Sequence, residues 1–154
     1  MGRHAGFIAL HSGIGSGAGG VLIPESETGL EELIAILRHG AKRKKLFNLI
    51  IVAEGNKLGG ANEIARQVKE KFDHYDTKVT IIGHLQRGGS PTCSDRVLAS
   101  RLGYAAVEAL VAGHSGVMVG IVDDKIKHTP FTEAIEREKP VSEDLMRLAH
   151  VLAL

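Results

Sequence analysis

Apolar residues along this chain fall into two alternating patterns. Short unbroken runs, namely Val21-Leu22-Ile23 closed by Pro24, Leu49 to Ala53, Val79 to Gly83 and Val117 to Val122, have the length and branched content of buried strands. Between them, helical spacing appears at Leu30, Leu33, Ile34 and Leu37, closed by Gly40, and again at Ile64, Ala65, Val68 and Phe72. The longest helical pattern runs from Asp95 to about Ala112, with Val97, Leu98, Leu102, Ala105, Ala109 and Leu110 expected to face inward. Two further helices are expected, from Pro130 to Glu138 with proline in the first turn, and from Ser142, as N-cap, to the end. Strands alternating with helices define an α/β protein. In such sheets ligands bind beyond the carboxyl ends of the strands. Two polar groupings lie there: Glu54-Gly55-Asn56 and His84-Leu85-Gln86-Arg87-Gly88-Gly89.

Composition narrows the functional classes. The 154 residues carry 19 basic and 18 acidic side chains. A net charge of +1 gives no electrostatic drive towards nucleic acid or a membrane surface. No apolar run reaches the ~20 residues of a membrane span. The stretch Phe7–Leu10 is also shorter than the roughly 7–15 residues of a signal-peptide core. Cys93 stands alone, so neither a disulfide framework nor a cysteine-based zinc site is expected. A cytoplasmic location follows as the expectation. Glycine is the anomaly: 19 residues, clustered at Gly13–Gly20, Gly55–Gly60 and Gly83–Gly89, against a usual share of about 7%.

The first cluster is not a dinucleotide fingerprint, because a helical segment precedes it and a strand follows, the reverse of what that motif needs. A helix C-cap and a tight turn into the strand account for it. The basic run Lys42-Arg43-Lys44-Lys45 suits the C-terminal end of a helix as a solvated face, with phosphate capture as the alternative. The His84–Arg87 cluster carries more chemistry. Arginine offers a planar fork matched to phosphate oxygens, a neutral histidine can bond a hydroxyl, and three glycines permit close backbone approach. Glu54 can accept hydrogen bonds from sugar hydroxyls, and Arg3 adds a cation. Together they suggest a site for a phosphorylated sugar, with a purely structural loop as the competing explanation.

Lys78, four free positions, Gly83-His84-Leu85-Gln86-Arg87-Gly88-Gly89, five more positions and then Asp95-Arg96 resemble, in full, the signature of the 6-phosphofructokinases. Met1-Gly2-Arg3 is similar to that family's substrate-binding tripeptide, and Glu54 to its acidic sugar ligand. The resemblance implies a Rossmann-like three-layer α/β sandwich with a mostly parallel sheet. Residues 1–86 would form an incomplete sugar-phosphate lobe. Residues 87–154 would supply a strand and crossing-over helices that pack on an absent nucleotide lobe. It implies that Met1, Gly2, Arg3, Glu54, Lys78, His84 and Arg87 bind fructose 6-phosphate. Lys78 would reach the 6-phosphate across a subunit interface, and Arg3 would also neutralise the transferring phosphoryl group.

Two departures qualify what the resemblance implies. Family members are about twice as long. The segment without counterpart here carries the nucleotide-phosphate loop, the catalytic aspartate and the magnesium ligand, so the chain reads as a carboxy-terminal half that is inactive alone. ATP or pyrophosphate, and Mg2+, would be bound through that other half, with no metal ligand in this one. The second departure is Gly19, which stands where allosteric bacterial members have a glutamate. The effector-type basic residues Arg43 and Lys45 therefore lack their carboxylate. A homo-oligomer is expected, formed through the helix at 95–112. The alternative function is a stand-alone sugar-phosphate-binding or regulatory module. A dinucleotide-dependent oxidoreductase is a remoter third.

Overall fold

The computed structural model describes residues 4–137 and 139–153. It divides into two compact units, Met1–Arg87 with Val141–Leu154, and Gly88–Pro140. In the first unit, strand β1 (Gly20–Leu22) pairs in parallel with β2 (Ile50–Val52), with Leu22 opposite Val52. Helix α2 (Leu30–Lys42) follows β1, and α3 (Ala61–Lys71) follows β2. Side chains alternate across a strand, so Leu22 faces one side and its neighbours the other. Leu22 packs with Leu33, Leu37, Ile64 and Val68 of α2 and α3. Ile23 and Ala53 pack with Leu10 of α1 (Phe7–Ser16) and with Val141, which leads into the terminal helix (Glu143–Ala153). Helices thus cover both faces of the parallel pair, which is the expected three-layer α/β arrangement.

The glycine-rich segment is a helix terminus. Gly17 adopts a left-handed conformation (φ +66°). Ala18 N–H then reaches Gly13 O at 2.8 Å and Gly17 N–H reaches Ile14 O at 3.2 Å, the bond pair of a Schellman cap. Gly13 has a second reason to be glycine: a Cβ there would lie 2.3 Å from Val21 Cγ2, so α1 and β1 could not approach as they do.

Several expectations need correction. Helix α2 does not close at Gly40 but continues to Lys42. It ends on Lys44 in the left-handed region (φ 58°), with Lys45 N–H bonded to Gly40 O at 2.9 Å. Inside the helix, Gly40 makes room for the Asn48 amide, which a Cβ would meet at 3.3 Å. Because lysine tolerates φ > 0 poorly, Lys44→Gly is expected to stabilise the chain by roughly 1 kcal/mol, read as a raised thermal midpoint. An unchanged or lowered midpoint would show that the lysine is not strained there.

The run Val79–Gly83 forms no ladder with any described element; Ile81 is 71% and Ile82 52% exposed. Strand structure depends on a paired neighbour and on cover for its apolar face, and β propensity alone supplies neither. The terminal helix also belongs to the first unit and packs against α1 and β1, instead of joining the segment that begins at residue 87.

The second unit opens with helix α4 (Cys93–Val111), two residues before the expected start. Thr92 is its N-cap. Thr92 Oγ1 accepts from Asp95 N–H at 3.2 Å, while an Asp95 carboxylate oxygen accepts from Thr92 N–H at 2.8 Å. This reciprocal capping box gives the signature's aspartate a structural task. Of the side chains expected to face inward, Ala105 and Ala109 are buried and Leu102 is half-buried, whereas Val97, Leu98 and Leu110 are exposed. Apolar residues lie on several sides of α4, so periodicity alone does not select its buried face.

Strand β3 (Val117–Val122) forms as expected but is not part of a parallel sheet. It pairs antiparallel with β4 (Lys125–Pro130), a strand not anticipated from the sequence. The two are joined by Asp123 (φ 49°) and Asp124 (φ 60°), a two-residue turn with both residues left-handed, as hairpin twist demands. Arg101 of α4 donates to Asp124 Oδ1 at 2.5 Å and so ties the turn to the helix. Helix α5 (Phe131–Glu136) follows directly and is shorter than expected, with Pro130 as its N-cap. The terminal helix, α6 in chain order, is led by Ser142 as the sequence suggests, its Oγ accepting from Leu145 N–H at 3.4 Å.

Bonds from the Thr92 side chain and backbone hold the Asp95 carboxyl below its ordinary value of 3.8. A carboxyl depressed in the folded state stabilises it above the unfolded value, and that contribution fades as pH falls through the folded one. Asp95→Ala should therefore lower the unfolding midpoint near neutral pH and make progressively less difference below about pH 4. A gap between the two chains that is independent of pH would contradict the capping role. Thr92→Ala should cost about 1 kcal/mol.

Candidate sugar-phosphate site

The carboxyl ends of β1 and β2 organise the first half of the site. Ala53 N–H bonds to Leu22 O at 2.8 Å, carrying the ladder one step past β2, and Glu54 emerges immediately afterwards, exposed. A turn behind it is fixed by the buried Asn56, whose N–H bonds to Ala53 O at 3.0 Å and whose Nδ2 donates to Gly59 O at 3.3 Å. Gly59 has φ +108°, a conformation that side chains disfavour. Glu54 is therefore presented from a rigid strand end, with its backbone held on either side.

His84–Arg87 form one turn of 3-10 helix, exposed throughout. Gln86 secures it from within: its N–H bonds to Gly83 O at 3.3 Å and its Nε2 to Ile82 O at 2.6 Å. In a 3-10 turn the residues i and i+3 lie on one side. His84 and Arg87 are thus brought together, and the glutamine is explained as scaffold. Lys78 is solvent-exposed and pairs with Asp76 at 3.5 Å, a contact weak enough to exchange for a phosphate. Glu54, Lys78, His84 and Arg87 all belong to the first unit. Met1, Gly2 and Arg3 lie outside the described residues.

Arg43 and Lys45 flank the left-handed Lys44 at the end of α2, and both are exposed. Gly19 is adjacent: a Cβ built on it would stand 3.5 Å from Lys45 Nζ and 3.2 Å from Asn48 Oδ1. The structure thus brings Gly19 and Lys45 together.

Two clearly perturbed acids mark architecture elsewhere. Glu63 on α3 is pulled down to about 2, chiefly by its hydrogen bonds from Arg66 and Gln67, in an exposed ladder that Glu70 completes. Asp95 is the capping residue already described. In the sequence, Asp95 figures as the start of a helix and as part of the Asp95-Arg96 end of the signature, with no capping role. The Thr92-x-x-Asp95 spacing was the available signal for the capping box. Among the described residues, no group of three or more His, Cys, Asp or Glu gathers as a metal site, and no helix is long and apolar enough to cross a membrane.

A parallel strand pair covered by helices on both faces, with the polar Glu54-Gly55-Asn56 turn just past the carboxyl end of β2, makes the first unit an α/β fold of the kind whose ligands bind at strand ends. The phosphofructokinase family model matches residues 1–110, and the chain belongs to that family of phosphotransferases. It is 46% identical over 154 residues to ATP-dependent 6-phosphofructokinase 2 of Bacteroides thetaiotaomicron, covering 100% of this chain and 47% of that protein. It is 48% identical over 154 residues to ATP-dependent 6-phosphofructokinase 1 of Thermus thermophilus, covering 100% of this chain and 48% of that protein. The chain thus spans about half the length of the curated relatives it matches. Among solved structures, phosphofructokinase from Saccharomyces cerevisiae superposes with a TM-score of 0.77 at 34% identity, over 99% of this chain and 22% of that one. The pyrophosphate-dependent phosphofructokinase from Marinobacter aquaeolei shares the fold, with a TM-score of 0.76 at 24% identity over 99% of this chain and 46% of that one.

Proposed function

We propose that this chain supplies the fructose 6-phosphate side of a 6-phosphofructokinase that uses ATP as donor. The observation that carries the reading is the His84–Arg87 turn, which sets a cationic fork and an imidazole on one side of a glycine-flanked loop. Arg87 is suited to grip two phosphate oxygens and Lys78 to add a point charge. Glu54 accepts from sugar hydroxyls, and His84 bonds a sugar or phosphate oxygen. Arg3 screens the phosphoryl group as it transfers. In the whole enzyme the 1-hydroxyl oxygen would attack the γ-phosphorus of ATP, ADP would leave, and the hydroxyl proton would pass to a base outside this chain. ATP is favoured over pyrophosphate because the relatives at 46–48% identity are named ATP-dependent, whereas the pyrophosphate-dependent structure stands at 24%. Nucleotide and Mg2+ are assigned to the portion of the relatives that this chain does not span. A cytoplasmic homo-oligomer fits the same reading.

Calorimetric titration of fructose 6-phosphate into the 154-residue chain tests this. Binding is expected, and Arg87→Ala should weaken it more than tenfold, the scale of one charge-assisted phosphate contact of ~1.5–3 kcal/mol. Equal affinities for the two chains, or no heat from either, would overturn the assignment.

A further inference from the structure

The second unit carries a histidine pair that the sugar-phosphate site does not use. The rings of His114 and His128 lie 5.2 Å apart, centre to centre, with their planes inclined at 54°. Both residues belong to that unit, and both are exposed to solvent.

Each histidine stands on a fixed stretch of backbone. Helix α4 ends in a Schellman cap: Gly113 is left-handed (φ 82°), its N–H bonds to Leu110 O at 3.0 Å, and His114 N–H bonds to Ala109 O at 2.9 Å. His114 is therefore the residue whose amide closes the helix. His128 lies opposite Val119 in the β3–β4 ladder. Gly116, also left-handed (φ 65°), turns the chain into β3, and its carbonyl accepts the Phe131 N–H at 2.9 Å just past the end of β4. Only side-chain torsions remain to be ordered when a ligand joins the two rings, which keeps the entropic cost small.

The spacing of the rings suits a shared metal ion. A zinc–nitrogen bond of ~2.0–2.1 Å puts the ion about 3 Å from the ring centre, so two imidazoles on one tetrahedral ion stand about 5 Å apart. Imidazole suits Zn2+, Cu2+ and Ni2+, whereas Mg2+ takes oxygen donors. Among the described residues no third His, Cys, Asp or Glu completes a larger group with them. Water would fill the other positions, so the ion would be held less tightly than in a closed four-ligand site. The unit also has use for such a link. Of its described residues only Ala105 and Ala109 are buried, and small cores gain from a metal staple.

We infer that His114 and His128 form a two-imidazole site for a divalent transition metal of the zinc class, which pins β4 to the end of α4. The site is separate from the proposed sugar-phosphate ligands and from the Mg2+ of phosphoryl transfer.

The test is a titration of Zn2+ into the full chain at about pH 7.5, where histidine in general is largely neutral and free to ligate. It is read residue by residue from the imidazole resonances. The rings of His114 and His128 should shift together with one micromolar dissociation constant, and Mg2+ should move neither. Rings that titrate at different zinc concentrations, or not at all, would overturn the inference. A chelating pair exceeds a single ligand by roughly 10²–10⁴ in affinity. His114→Gln should therefore weaken zinc binding at His128 at least tenfold, His128→Gln should do the same at His114, and the double variant should bind no worse than either. An unchanged affinity of the remaining ring would show two independent histidines. The wild-type titration decides the matter even if a variant fails to fold. Zinc should also slow hydrogen exchange at the His114 and Phe131 amides, and unchanged exchange would overturn the pinning.

Discussion

Incubated with fructose 6-phosphate, ATP and Mg2+, the purified 154-residue chain is expected to form no fructose 1,6-bisphosphate. The residues assigned to the substrate bind and screen charge, and none is assigned to take the proton of the 1-hydroxyl. General-base assistance is worth about 10²–10⁴ in rate. Holding the donor in line with the acceptor contributes effective molarities of up to about 10⁵–10⁸ M. Without both, turnover falls below detection. A coupled assay that reads disappearance of nicotinamide absorbance is sensitive enough. Host enzyme is controlled by preparing Arg87→Ala in parallel. Turnover in the wild-type preparation that disappears in the variant would show that this chain performs the chemistry unaided, contrary to expectation.

A second large effect is expected on association. Val107, Leu110 and Val111 lie three and four residues apart on α4, hence on one side of the helix, and are 60%, 70% and 84% exposed. Burying such side chains is worth roughly 1.5–3 kcal/mol each, enough for several together to offset much of the cost of association. The chain should therefore sediment as an oligomer at micromolar concentration, and Leu110→Glu should dissociate it. Leu102 is the poorer choice for that substitution, because it is half-buried and a charge there would disturb folding. If wild type and Leu110→Glu both sediment as monomers, α4 is not the contact.

What the sequence revealed depended on whether the deciding physics was local. Helices α2 and α3 were legible because a single apolar stripe faces a single core: Leu33 and Leu37, then Ile64 and Val68, are the buried positions. The cap at Gly17 was legible because glycine at a helix end is itself the signal. Val79–Gly83 was not, since its composition suits a strand but no described neighbour completes the ladder. The hairpin at Asp123-Asp124 was hidden for a different reason: neither residue is the glycine that usually marks such turns, and Lys125 to Pro130 has too little apolar character to read as a strand. In the site, residue types and spacing pointed to Glu54, His84 and Arg87. The scaffold behind them, Gln86 folded onto Ile82 O, rests on a backbone contact that spacing does not encode.

The central claim is that this chain is the sugar-phosphate side of a phosphofructokinase, and it is tested most directly by completing it. Joining, in frame to residue 1, the part of one of the ATP-dependent relatives that this chain does not span would complete the proposed enzyme, with every fructose 6-phosphate ligand named above coming from this chain. The expected result is ATP-dependent phosphorylation of fructose 6-phosphate, with Arg87→Ala raising KM for the sugar phosphate more than tenfold. A folded chimera that turns over nothing, or one whose KM ignores Arg87, would contradict the account.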